Sequence, residues 1–198
     1  MEKLDYLLWD AAPLAADLEG LVRSGRVSAA ASDVKPTLLM GKGSLLTALV
    51  EVWVDSLDTR ASVEATFTGR YDGYLVTESV PEIPSAATGL VTHLSWFPKP
   101  DRLTDEEFYE GWQDKHTPTT FALHPARQGY VRDAVARVLT PGSPPIRAIV
   151  SEYFAVEDYE DPRRLFGSKE AMQASAAELP SYGDMADLSC RPLWKGTT

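Results

Sequence analysis

Alternation and periodicity divide the chain into two runs of elements in the same order. Leu4–Trp9 is short and rich in Leu and aromatics, which predicts a strand. Leu14, Leu18, Leu21 and Val22 follow at helical spacing, with Pro13 suited to a first helical position and Gly25 to the end. Two strands are predicted over Val27–Met40 and Leu45–Val54, joined through the turn Gly41-Lys42-Gly43-Ser44. Ser56 can N-cap a helix reaching about Phe67, and Tyr74–Val80 reads as the last strand. After Pro81, Pro84, Ser85 and Gly89 the order repeats. Leu90–Phe97 is a strand. Thr104-Asp105-Glu106-Glu107 is a capping box for a helix to about Phe121, which Pro118 is expected to kink or shorten. Tyr130–Leu139 and Ile146–Ala155 pair as strands, short helices fall at Pro162–Phe166 and Glu170–Leu179, and Ala186–Leu193 closes the unit.

The two runs also align residue by residue. Leu4–Pro13 lines up with Val91–Pro100, and Ala48–Asp58 with Ala148–Asp158. Gly73–Ile83 corresponds in length and position to Met185–Trp194. A period of about 90–100 residues suits a duplicated small domain, not a solenoid. The expected fold class is therefore α+β: two ferredoxin-like β-α-β-β-α-β repeats, residues 1–85 and 88–195, whose antiparallel sheets pack into an intramolecular α/β barrel. Each sheet would carry helices on one face, leaving the other to be covered by its counterpart.

The 198 residues include 44% hydrophobic and 24% charged, an ordinary globular balance. The net charge of −10 is spread over both runs: 7 basic against 13 acidic residues in 1–87, and 12 against 16 in the rest. Without a basic face, nucleic acid and anionic membrane surfaces are poor partners. No apolar run reaches the ~20 residues a membrane-spanning helix needs. Cys190, the single cysteine, excludes an intrachain disulfide and fits a reducing cytoplasm. It reads as a small buried hydrophobe.

Residues 90–132 resemble the EthD family of the dimeric α/β-barrel superfamily. The resemblance rests on Phe97-Pro98-Lys99-Pro100, Leu103-Thr104-Asp105-Glu106-Glu107-Phe108, Trp112, His116 with Pro118, and Gly129-Tyr130-Val131-Arg132. The first run lacks the F-x-x-x-W-x-x-x-H-x-P segment and looks like a degenerate partner. The resemblance implies a ligand cavity between sheet and helices. Similar folds host cofactor-free cyclases and dehydratases of polyketide-like molecules, muconolactone isomerases, quinone-forming monooxygenases and haem enzymes.

Phe108, Trp112 and His116, spaced by four, share one side of a helix. His116 is thus the candidate general base or acid, with a turn-anchoring histidine as the bland alternative. Tyr130 is the candidate donor to a substrate oxygen. Phe108, Trp112, His93 and Tyr153 are candidate substrate-binding residues; His93 can alternatively lie in the sheet–sheet seam, and Tyr153 can alternatively be simple core. His124, beside Pro125, is expected to be exposed, and Asp114 to point to water. With no H-x-H, H-E-x-x-H or cysteine cluster, no dedicated metal site is expected. No Rossmann fingerprint is present, and no cofactor is required, although haem stays open because it needs only one axial His. The expected activity is a cofactor-independent lyase, cyclase or isomerase. It would act by general acid–base catalysis on a small apolar oxygenated compound, polyketide- or lactone-like. The alternatives are a non-catalytic small-molecule binding protein and a cofactor-free quinone-forming monooxygenase. The duplication allows a monomer with an internal pseudo-dimer or a homodimer.

Overall fold

The computed structural model describes residues 1–10, 15–86 and 89–195. Eight strands form one sheet: β1 Glu2–Leu8, β2 Ser24–Ala29, β3 Ala48–Val54, β4 Tyr71–Glu82, β5 Val91–Pro98, β6 Tyr130–Val138, β7 Ile146–Phe154 and β8 Ser189–Trp194. Their order is β2-β3-β1-β4-β6-β7-β5-β8, antiparallel throughout. Each half therefore contributes its four strands in the same relative order. The halves meet differently from the expected face-to-face pair of separate sheets. β4 and β6 hydrogen-bond edge to edge, so the sheet is continuous and curls into a nearly closed barrel.

The curl closes through isolated bridges between Ala30 and Leu193 and between Met40 and Cys190. Gly41-Lys42-Gly43-Ser44, expected as a hairpin turn, is instead part of a 3-10 turn, Gly41–Leu45, laid against β8. Arg191 donates to the carbonyls of Gly43 and Ser44, both at 3.0 Å. A Cβ on Gly43 would stand 1.9 Å from the carbonyl oxygen of Cys190, so only glycine allows this approach. β2 is accordingly shorter than the predicted strand Val27–Met40, whose second half crosses to the seam. The helix predicted through Val22 and ended by Gly25 is reduced to a 3-10 turn, Ala15–Leu18, and Gly25 lies in β2; Pro13 and Leu14 lie outside the described residues.

Strand alternation decides what fills the barrel. Leu7, Leu49, Val76, Leu94, Val135 and Ile149 point inward, with Trp9 and Trp96 edge to face at 6.2 Å between centroids. Further along the same inner face the filling is charged. The ammonium of Lys3 lies 2.8 Å from Asp133, 2.8 Å from Glu78, 3.0 Å from Glu51 and 3.8 Å from Asp5. Arg26 pairs with Glu51 at 3.2 Å. Burial raises the Asp5 carboxyl well above its usual range and, despite Lys3, brings Asp133 up to about 7. Among the described residues, Asp5, Glu51 and Asp133 are the one group of His, Cys, Asp or Glu side chains close enough together to share a metal ion. No described helix is long and apolar enough to cross a membrane.

Helices cover the outer face. In the first half the cover is solid: Tyr6, Leu8, Val50, Val52 and Leu18 fill it, with Phe67 4.9 Å from the Tyr6 ring. In the second half a helical segment spans 105–123. It opens on the expected capping box, Thr104 accepting from the Glu107 amide and Glu107 from the Thr104 amide. Its middle, Glu110–His116, is a π-helix. The Thr117 amide reaches back to the Trp112 carbonyl, five residues away. The wider turn carries the chain past Pro118, and the helix continues to Leu123.

Candidate functional site

Between the second half's sheet and its helices lies a cavity of about 240 Å³. Its floor is set by strand register. His93 on β5 faces Glu152 on β7, which faces Tyr130 on β6. These three outward-pointing side chains make a polar row across three strands, all lining the cavity. The comparable position in the first half pairs Tyr6 with Val50, so no carboxylate arises there. Ser95, Phe97, Val150 and Cys190 complete the floor. The roof comes from Trp112 and His116 on the π-helical stretch, and from Met172, Leu179 and Tyr182 on and after the helix Lys169–Glu178. Gly111 lets these parts meet, since a Cβ there would stand 2.3 Å from the carbonyl of Ser181.

His116 is held at both ring nitrogens. Nδ1 lies 3.0 Å from Glu178 Oε2 and Nε2 lies 3.3 Å from the Tyr182 hydroxyl. Burial lowers the His116 pKa; the hydrogen bond to Glu178 works the other way. At neutral pH the imidazole is therefore neutral. Nδ1–H donates to the carboxylate, leaving the Nε2 lone pair toward Tyr182 and the cavity. Burial raises the hydroxyls of Tyr130, to about 12, and of Tyr182, further still, so both are donors at any ordinary pH.

His93 is engaged on both sides as well, with the Tyr159 hydroxyl 3.3 Å from Nδ1 and Ser95 Oγ 3.1 Å from Nε2. Its burial brings the pKa down to about 4. Burial disfavours ionised Glu152, but the neighbouring His124, Arg127 and His93 more than offset this and hold its carboxyl at about 2. Since His93 is neutral above about pH 4, Arg127 is the permanent cation of the group. Arg127 donates to Glu152 at 2.9 Å and lies over the ring of Tyr130, 4.4 Å from its centroid.

The sequence-predicted residues divide. His116, Tyr130, Trp112 and His93 line one cavity. Phe108 lies behind the wall, packed on Phe97 and Trp112. Tyr153 is a correction: strand alternation turns it into the barrel, where its hydroxyl accepts from Arg26 at 3.1 Å. His124 is another, being only 8% exposed and part of the cavity wall. Asp114 is exposed. Burial pushes the Cys190 thiol up to about 11, so it is no thiolate nucleophile. Glu152, Glu178 and Tyr182 escaped the sequence reading. A lone acid inside the apolar strand Ile146–Phe154 was the one available signal for Glu152.

Residues 100–184 match the model of the EthD domain family. The segment supplies His116, His124, Tyr130, Glu152, Glu178 and Tyr182, whereas His93 and Cys190 come from strands outside it. No curated protein matches the sequence. Among solved structures, the chain is similar to a Fusobacterium nucleatum subsp. nucleatum protein that carries the provisional name of monooxygenase. The TM-score is 0.53 and the identity 11%, covering 100% of this chain and 92% of that one. At that identity the likeness concerns the fold.

Proposed function

We propose that the chain is a cofactor-independent lyase, cyclase or isomerase that moves a proton on a small, apolar, oxygenated compound. The observation that carries the reading is the Glu178–His116–Tyr182 arrangement on the wall of the cavity. A carboxylate fixing one imidazole nitrogen leaves the other as a base of defined direction. In the proposed step, His116 Nε2 takes a proton from a carbon next to a carbonyl, directly or through the Tyr182 hydroxyl. Tyr130 donates a hydrogen bond to the oxygen on which negative charge develops, and the imidazolium returns the proton at the new position. Trp112 and Phe97 shape the apolar wall.

We also read the two halves as tandem ferredoxin-like repeats, residues 1–85 and 88–195, the first having lost its hollow. Their common strand order and the meeting of Trp9 with Trp96 support this. A cytoplasmic location and a self-sufficient monomer belong to the same reading.

The provisional name of the Fusobacterium relative favours a second reading, oxygen insertion without a cofactor. The two are separated by incubating the protein with hydroxylated aromatic ketones and unsaturated lactones in deuterated water, with an oxygen electrode in the cell. Solvent deuterium entering the compound without oxygen uptake, and lost in His116→Gln, supports proton transfer. Oxygen uptake that survives His116→Gln replaces it with the second reading. Binding without consumption of any compound leaves a carrier.

A further inference from the structure

All three histidines of the chain line the same cavity. Two have a protein contact at each ring nitrogen: His93 with Tyr159 and Ser95, His116 with Glu178 and Tyr182. His124 does not. Its ring stands against Phe166 and Phe154, at 5.1 and 6.3 Å between centroids. Nδ1 is buried without a hydrogen-bond partner among the described residues. Buried polar groups in folded proteins are nearly always partnered, by protein or by something bound. Here the vacant capacity belongs to a side chain of the cavity wall.

We propose that His124 binds a neutral oxygen function of the ligand, a hydroxyl or a carbonyl, distinct from the oxygen that meets Tyr130 and His116. The inference rests on the reading of the cavity as a site for a small oxygenated compound. An imidazole serves either group, since one tautomer donates where the other accepts. Neutrality follows from the charges at hand: among the described residues no Lys or Arg lines the cavity, and Arg127 beside it is already paired with Glu152 at 2.9 Å and Glu82 at 3.2 Å, so no free cation is there to meet an anion. Size follows from the volume. A cavity of roughly 150 Å³ holds one benzene ring, so about 240 Å³ admits two fused rings with small substituents. The ligand class is thus a one- or two-ring unsaturated compound with two separated uncharged oxygens.

Binding of naphthalene, the two naphthols, naphthoic acid and a set of naphthalenediols to the whole chain tests this. At least one diol should bind about tenfold tighter than either naphthol, the worth of one added hydrogen bond, and naphthoate should bind more weakly than the naphthols. In His124→Phe the diol should fall to naphthol affinity while the naphthols are unchanged. Should that variant not fold, imidazole nitrogen NMR of the wild-type chain replaces it: the His124 signals should move with the diol and stay with the naphthol. The proposal is overturned by no binding at all, by no diol preference, by a preference that survives His124→Phe, by unmoved His124 signals, or by naphthoate binding best. A diol preference retained in His116→Gln without any turnover would defeat the catalytic reading alone and leave this one standing.

Discussion

His93 on β5 and Glu152 on β7 face each other in register, a neutral imidazole beside an ionised carboxylate under one roof. The imidazole gives up its proton so readily because it is buried.

That relationship makes stability depend on acid. Between the usual histidine value of 6.5 and about 4, the unfolded chain binds a proton at His93 that the native chain refuses. The unfolded state then holds more protons, so native stability falls as pH falls through this window. The expected loss is about 3 kcal/mol, and His93→Gln should lack it. Urea unfolding of both proteins at pH 6.5 and pH 4 checks this; equal losses would refute it.

Arg127 is the cation that keeps Glu152 from being a stranded buried charge. Arg127→Met should cost about 3–5 kcal/mol, and adding Glu152→Gln should return much of it. A double-mutant cycle by chemical denaturation measures the coupling; strictly additive effects would show that the pair does not act as one.

Glu178 orients His116 and raises its proton affinity against the effect of burial. In Glu178→Gln the His116 NMR titration should move to lower pH. Any turnover that depends on His116 should drop by about 10²-fold or more. A titration midpoint that stays put would show that Glu178 does not hold the ring.

At the seam, Gly43→Ala places a methyl against the Cys190 carbonyl, a backbone atom that cannot rotate away. We expect a loss of about 2–3 kcal/mol, with faster hydrogen exchange at the amides of Met40 and Cys190. Gly25→Ala meets only side-chain methyls at 3.3–3.6 Å and should change stability by no more than about 0.5 kcal/mol.

Much of this architecture was legible because alternation and capping are local. Apart from β2, which stops at Ala29 and not at Met40, the strands lie within a few residues of their predicted places, and the capping box at Thr104 marks the start of the helix that carries His116. What misled was geometry set at a distance. Alternation says that Glu152 and Tyr153 point oppositely, but the choice of cavity side depends on which face the helices cover. His124 follows the end of a helix, where exposure is the ordinary expectation; Phe154 and Phe166 enclose it from residues 30 and more positions away. Pro118 suggested a break because an α-helix cannot absorb it, whereas a π-turn can. Gly41–Ser44 was read as a hairpin because its partner, β8, lies nearly 150 residues on.

Joining the two halves along β4 and β6 also settles how the molecule can come apart. A piece ending after β4, or one starting at β5, would carry a long raw margin of unmet amides and carbonyls, the kind of border that recruits other chains. The whole chain should therefore melt in a single transition, and neither piece should stay dispersed alone.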